Sequence, residues 1–93
     1  MKNETSEAKL PVLNRLGLHA RAAAKIAALA NTFQAEIFLE KNNARADARS
    51  ILDILSLGCP QGTEIKLRAK GPEAIQAIAA ISELFWHYFG EHS

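Results

Sequence analysis

The sequence predicts an α+β fold, a two-layer open-faced sandwich in which three helices cover one face of a four-stranded antiparallel sheet. Apolar residues alternate with polar ones in four short segments and recur at helical spacing in three others. The two kinds of segment follow one another in the order β-α-β-β-α-β-α. Helices packed on one face of a sheet bury the apolar sides of both layers. We expect residues 8–93 to form a single domain and residues 1–7 to form a flexible tail.

Composition argues against several functional classes. The chain has 93 residues and a net charge of +1 without a long basic run, which disfavours nucleic-acid binding. No apolar run is long enough to span a membrane, and the N-terminal residues are too polar for a signal peptide. The single cysteine, Cys59, excludes an intrachain disulfide and is typical of a reducing cytoplasm. The scattered positions of His19, His87 and His92 give no zinc-binding pattern.

The elements of the first half follow from local patterns. Pro11 lies inside the first strand candidate and lacks a donor for the ladder, so we place this strand at an edge of the sheet. Asparagines tolerate positive φ and favour a turn between the second and third strands. The predicted segments are strand Ala8–Asn14, helix Ala20–Asn31, strand Ala35–Glu40, turn Lys41–Asn43 and strand Ala44–Ala48.

The second half begins with a short helix capped by Ser50, whose spacing to Asp53 suggests a capping box. This helix ends at Gly58 and is followed by an alternating strand over residues 64–70. The last helix starts after Gly71 and ends with Gly90 as its C-cap, which leaves residues 91–93 loose. Its predicted core residues are Ala74, Ile78, Ile81 and Phe85.

The segment around His19 carries the strongest chemical signal. Gly17 allows a sharp turn, and His19 then lies at the N-cap of the first helix, where free N–H groups and the helix dipole favour an anion such as phosphate. Arg21 adds a guanidinium that suits phosphate oxygens. Near neutral pH, His19 is also available as a nucleophile. The alternative is a solvated histidine at a helix end beside an ordinary surface arginine.

Residues 14–23, Asn-Arg-Leu-Gly-Leu-His-Ala-Arg-Ala-Ala, resemble the active-site segment of HPr, the histidine phosphocarrier of the bacterial phosphoenolpyruvate-dependent phosphotransferase system. The element order also matches that family from about Ala8 to Glu91, which implies the sheet order 1-4-2-3. One departure is Ala22, where the family usually has proline. Proline presets the geometry of the first helical turn, so we expect slightly less preorganisation here and an effect on the transfer rate.

The resemblance implies a carrier and not an enzyme in the usual sense. Nδ1 of His19 would accept a phosphoryl group from phosphorylated enzyme I and pass it to an enzyme IIA domain. Arg21 and the backbone N–H groups of Ala20 and Arg21 would stabilise the phosphoryl charge. The carrier would need no cofactor of its own, since the metal and phosphoenolpyruvate belong to enzyme I. We expect a cytoplasmic monomer, serving a sugar or a nitrogen-related pathway that the sequence does not identify.

Ser50 resembles the regulatory serine that a dedicated HPr kinase/phosphorylase modifies in many members of the family. A phosphoserine at an N-cap gains from the helix dipole, although a capping role alone also explains a serine there. A mainly regulatory protein controlled through Ser50 is therefore one alternative function. A small α/β enzyme or binding module unrelated to phosphate is another, weakened because only Arg21 can be placed beside His19.

The short second helix has more apolar residues than one buried stripe can hold, so some should be exposed as a docking patch for partners. Ordinary core packing is the alternative for some of them. Nearby basic residues would speed encounter with acidic partners. The family is often basic further along the first helix, where Ala28 and Asn31 stand here. The predicted docking residues are Ile51, Leu52, Leu55, Arg49 and Lys25, with Arg21 adding charge.

The aromatic cluster of residues 85–89 predicts core packing plus an exposed surface, rather than a ligand cage. A helix with aromatic residues on all sides must bury some of them and expose the others. The sequence Phe89-Gly90-Glu91 resembles the tail of HPr proteins from non-enteric proteobacteria.

Overall fold

A four-stranded antiparallel sheet forms one layer of the molecule. The computed structural model describes residues 4–93. The strands are β1 (Glu4–Pro11), β2 (Glu36–Lys41), β3 (Ala44–Asp47) and β4 (Glu64–Gly71). Their order is β1-β4-β2-β3, and all neighbours are antiparallel. The predicted fold class and sheet order are confirmed, with β1 at an edge.

Helices form the second layer. They are α1 (Ala20–Ala30), α2 (Ile51–Ser56) and α3 (Ala74–Trp86), followed by a 3₁₀ turn over Tyr88–Gly90. None of the helices in residues 4–93 is long and apolar enough to cross a bilayer. The two layers share one hydrophobic core, which includes all four core residues predicted for α3. Its largest fully buried apolar side chains are Phe85, Phe89, Leu10, Ile26, Ile37, Leu39, Ile54, Ile65, Leu67, Ile81 and Val12.

Strand β1 begins earlier than the sequence suggested. Residues 4–7 were expected in the tail, but they pair with residues 68–71 of β4, while residues 1–3 lie outside the described part. The strand also ends at Pro11 and does not reach Asn14. Glu7 ion-pairs with Arg68 across the open face at 3.2 Å. The small residues Ser6 and Ala8 on the inner side hid the usual strand alternation.

The prediction that the last helix ends with Gly90 as its C-cap was wrong. Helix α3 ends at Trp86 with His87 as its C-cap, so Gly90 is not the cap of this helix. Tyr88, Phe89 and Gly90 follow with φ values of +57°, +54° and +80°. This left-handed turn buries Phe89, whose ring packs edge-on against Phe85 with centroids 4.9 Å apart. The turn sends the following residues back toward α1.

Smaller differences concern the ends of elements. Helix α1 ends one residue early with Asn31 as its C-cap, and β2 is shifted by one residue. The amide of Asp53 donates to Ser50 Oγ at 3.2 Å, but the Asp53 carboxylate accepts from Asp47 N at 3.3 Å. The predicted capping box is therefore only half formed.

The loop before α1 lies against the loop that follows α2. Leu18 N donates to Cys59 O at 2.9 Å. Gly17 has φ +67°, and a Cβ atom there would lie 2.4 Å from Cys59 O and 2.9 Å from Pro60 Cα. Only glycine fits, because the neighbouring atoms are backbone and cannot rotate away. This close approach fixes where α1 begins.

We expect Gly17→Ala to destabilise the fold strongly. Gly58→Ala is a matched control, since Gly58 has a similar φ of +63° but nothing within 4 Å of the added Cβ. Gly58→Ala should lose about 1 kcal/mol of unfolding free energy from backbone strain, and Gly17→Ala about 2 kcal/mol more from the clash. Chemical denaturation of both variants measures the difference. Equal losses would show that the close approach contributes nothing.

Candidate functional site

His19 is the N-cap residue of α1. Its backbone is extended and its carbonyl accepts from Ala23 N at 2.9 Å, while its ring Nδ1 accepts from Arg21 N at 3.3 Å. The side chain is 27% exposed. The predicted position of His19 is confirmed, and the hydrogen bond shows that Nδ1 faces the first amides of the helix.

The other ring nitrogen of His19 contacts a residue that the sequence analysis left loose. Nε2 is hydrogen-bonded to Oε2 of Glu91. The second carboxylate oxygen of Glu91 accepts from Asn14 Nδ2 at 3.0 Å, and the same nitrogen donates to Gly17 O at 2.8 Å. Asn14 is fully buried. Two segments that are 72 positions apart in the chain, residues 14–19 and Glu91, therefore meet at one imidazole.

The Glu91 carboxyl is held in its ionised form. Burial raises the pKa of this group, but hydrogen bonds from His19 and Asn14, with electrostatic attraction to His19 and Lys25, outweigh burial and hold the pKa below its ordinary value of 4.5. An ionised carboxylate can only accept hydrogen bonds. In a neutral His19 ring this acceptor favours the tautomer with the proton on Nε2 and the lone pair on Nδ1.

The start of α1 is open to solvent beside Nδ1. Ala20 and Arg21 are exposed, and the first turn contains no acidic residue. Free amides and the helix dipole give this end a partial positive charge, to which the guanidinium of Arg21 adds. The geometry suits an anion with several oxygen atoms placed against Nδ1.

An apolar patch on α2 follows the sequence prediction. Ile51, Leu52 and Leu55 are 41%, 79% and 37% exposed, whereas Ile54 is fully buried. Leu16, in the turn before His19, is 63% exposed and was not predicted. We call Leu16, Ile51, Leu52 and Leu55 the apolar patch.

The structure places the other predicted residues, Ser50, Arg49 and Lys25, in separate surroundings. Ser50 is the N-cap of α2 and is half-buried. Arg49 is exposed and lies 3.7 Å from Asp47. Lys25 is exposed, and its ammonium donates to Phe89 O at 2.6 Å, so it helps to hold the C-terminal turn. No cluster of three metal-binding side chains occurs between Glu4 and Ser93.

Two residues of the site were missed from sequence. Asn14 lies within the segment that was singled out, yet an asparagine between a strand and a helix is an ordinary turn residue. Glu91 lies 72 positions from His19, and the C-terminal motif was noted only as a resemblance. No local pattern predicts that contact.

Comparison with known proteins agrees with this geometry. A family profile described as "PTS HPr component phosphorylation site" matches residues 6–86. The phosphocarrier protein HPr of Neisseria meningitidis serogroup A is 37% identical over 82 residues, covering 88% of this chain and 92% of that protein. The phosphocarrier protein NPr of Shewanella violacea is 42% identical over 87 residues, covering 94% and 96%.

A solved structure shares the whole architecture. The crystal structure of HPr-C-His from Thermoanaerobacter tengcongensis is 40% identical, with a TM-score of 0.91 and coverage of 95% of this chain and 99% of that one. The family profile, these relatives and the shared architecture together indicate a phosphocarrier of the phosphotransferase system. The chain belongs to the HPr family.

We expect Glu91 to stabilise the fold only where it is ionised. Because its pKa is lower in the folded than in the unfolded chain, its contribution is present above 4.5 and is lost as the pH falls through the folded-state pKa. The difference in unfolding free energy between wild type and Glu91→Gln should therefore be full at neutral pH and shrink as the pH falls below about 5. Urea titrations measure it, with Glu83→Gln as an exposed control. A difference that stays constant would contradict the expectation.

Proposed function

We propose that His19 is the phosphoryl-accepting residue of this carrier, with Nδ1 as the attacking atom. The observation that carries the proposal is the hydrogen bond from Arg21 N to Nδ1, at 3.3 Å. It directs the lone pair of Nδ1 toward the start of α1. A phosphoryl group bound there would replace this hydrogen bond, and its oxygens would meet the amides of Ala20 and Arg21.

The groups around Nδ1 would stabilise a phosphoryl group bound there. Phosphoryl transfer depends mainly on positioning and on stabilising negative charge. The open N-terminus of α1 supplies amides and the dipole, and Arg21 is free to swing over the phosphoryl oxygens because it is exposed. With Ala22 in place of the usual proline, α1 still begins at Ala20 with His19 as its N-cap.

In the proposed transfer, the lone pair of Nδ1 forms a bond to phosphorus as the bond between phosphorus and the donor breaks. The bonding electrons leave with the donor, which we propose to be the phosphohistidine of enzyme I. In the second transfer, a nucleophilic side chain of an enzyme IIA domain forms a bond to phosphorus as the bond between phosphorus and Nδ1 breaks, and the bonding electrons return to Nδ1. The step is neither oxidative nor reductive, and the carrier contributes no cofactor to it.

We place the carrier in the cytoplasm, where a lone reduced cysteine such as Cys59 is ordinary. We propose that it acts as a monomer, because one chain alone supplies a hydrogen-bond partner for each ring nitrogen of His19, so the site needs no second copy. Relatives of both the HPr and NPr types are similar to it. Phosphorylation is therefore tested with enzyme I from both a sugar and a nitrogen-related system.

Intact mass spectrometry tests the proposal directly. The protein is incubated with phosphoenolpyruvate, magnesium and enzyme I of either the sugar or the nitrogen type, then analysed at alkaline pH. We expect one added phosphoryl group that is lost in acid, as a phosphoramidate bond requires, and no addition to His19→Ala. Phosphorylation of His19→Ala to the wild-type extent would overturn the proposal. His87→Ala is the matched control, since His87 is an exposed histidine at the end of α3.

We propose that the apolar patch is the docking surface for these partners. Its four side chains lie in the turn before His19 and on α2, whose following loop is bonded to that turn. Arg49, just before the N-cap of α2, and Arg21, in the first turn of α1, are exposed and would attract acidic surfaces. A small apolar area with charged neighbours suits brief complexes, which a serial carrier requires.

Leu52→Glu tests this surface. The side chain is 79% exposed, so the substitution should leave the unfolding free energy almost unchanged. It should lower the second-order rate of phosphorylation by enzyme I about tenfold, which is about 1.4 kcal/mol. Ile75→Glu is the control, because Ile75 is 55% exposed on α3, outside the patch. Equal rates for the two variants would exclude the patch from docking.

A mainly regulatory role through Ser50 is the second candidate. Ser50 Oγ accepts from Asp53 N and the residue is only half-buried, so a kinase can reach it after a small rearrangement. HPr kinase/phosphorylase is the partner that this role would need. Incubation with that kinase and ATP would then add a phosphoryl group that survives acid and is absent from Ser50→Ala. An acid-labile group alone favours the carrier role.

A further inference from the structure

The C-terminal turn after α3 carries backbone strain. Tyr88 and Phe89 both have positive φ, a conformation that costs a residue other than glycine about 1 kcal/mol or more. Burial of Phe89 and the bond from Lys25 to its carbonyl offset this cost. The result is that Glu91 lies beside His19 instead of continuing along the axis of α3.

The carboxylate of Glu91 is held at both oxygens. Oε2 bonds His19 Nε2, and Oε1 accepts from Asn14 Nδ2 at 3.0 Å. Asn14 Nδ2 also donates to Gly17 O at 2.8 Å, and this second acceptor fixes the orientation of the amide, because a flipped amide would place its oxygen against two other oxygens. The Glu91 side chain is only 16% exposed.

The two bonds to the His19 ring agree on one tautomer. Glu91 accepts at Nε2, so this nitrogen carries the hydrogen, and Arg21 N donates to Nδ1, so that nitrogen carries the lone pair. We propose that Glu91, oriented by Asn14, is a positioning residue that keeps the proton of His19 on Nε2 and leaves Nδ1 free to accept the phosphoryl group. This inference rests on the proposed function of His19.

The carboxylate would also act during the transfer. When Nδ1 forms its bond to phosphorus, the proton stays on Nε2 and positive charge develops on the ring. The electron pair of the broken bond leaves with the donor, so the charge of the ring must be balanced by the carrier itself. Glu91 is the acidic group in contact with the ring, and it plays the part that a carboxylate plays behind a histidine base in hydrolases.

The ring nitrogens report the tautomer without any phosphorylation. Two-dimensional ¹H–¹⁵N spectra of wild type, Glu91→Gln and Glu91→Ala, recorded where the ring is neutral, show which nitrogen is protonated. We expect the Nε2–H form alone in wild type and in Glu91→Gln, whose amide oxygen still accepts. In Glu91→Ala we expect a measurable share of the Nδ1–H form. Glu83→Ala is the matched control, because Glu83 makes a similar contact at 3.1 Å to His87 on the exposed surface.

Phosphorylation kinetics with enzyme I and phosphoenolpyruvate give the second readout. The rate should fall about 10- to 100-fold in Glu91→Ala, the range typical of groups that orient a functional histidine, and less in Glu91→Gln. Amide spectra of each variant check that the fold is retained. A wild-type rate or an unchanged tautomer in Glu91→Ala would overturn the positioning role, even with His19 phosphorylated. Failure of wild type itself to be phosphorylated would instead overturn the proposed function.

Discussion

The contact between the turn before α1 and the loop after α2 is the constraint on which the rest of the site depends. Gly17 packs against the backbone of Cys59 and Pro60, and Leu18 donates to Cys59 O at 2.9 Å. Backbone-to-backbone packing of this kind leaves little freedom for the next residue. It therefore sets His19 at the first turn of α1 and places α2, with its exposed apolar side chains, beside the same turn. The position of His19 and the placement of the apolar patch thus arise from one contact.

The C-terminal segment supplies a hydrogen-bond acceptor for His19, which the start of α1 lacks. The N-terminus of α1 provides donors for an anion, but the first helical turn has no acidic side chain that could accept a hydrogen bond from the imidazole. Glu91 provides that acceptor, after a left-handed turn anchored by Phe89 and Lys25. The imidazole is thus held between a donor at Nδ1 and an acceptor at Nε2. A side chain held at two points loses less entropy when it reacts.

The features that could be predicted from the sequence depend on residues that are close together in the chain. Alternation and helical spacing indicated the order of elements, and the glycine, histidine and arginine at the start of α1 indicated an anion site. The start of β1 was missed because its inner residues Ser6 and Ala8 are small, so pairing with β4 leaves no apolar pattern. The Glu91 contact was missed because Tyr88 and Phe89 adopt positive φ, which no preference of these residues foretells. Contacts between residues far apart in the chain that depend on strained turns cannot be predicted from local sequence patterns.

The placement of Glu91 brings Ser93 close to His19, whereas Glu4 lies at the far end of β1. Strand β1 enters the sheet at Glu4, opposite Gly71, and then runs about 25 Å toward the His19 end of the molecule. Ser93, by contrast, is two residues beyond Glu91, within about 7 Å of backbone from a group that touches the imidazole. A purification tag or fusion partner joined after Ser93 would crowd the imidazole of His19. Glu4 lies at the other end of β1, so a probe attached on that side of the sheet would leave the imidazole clear.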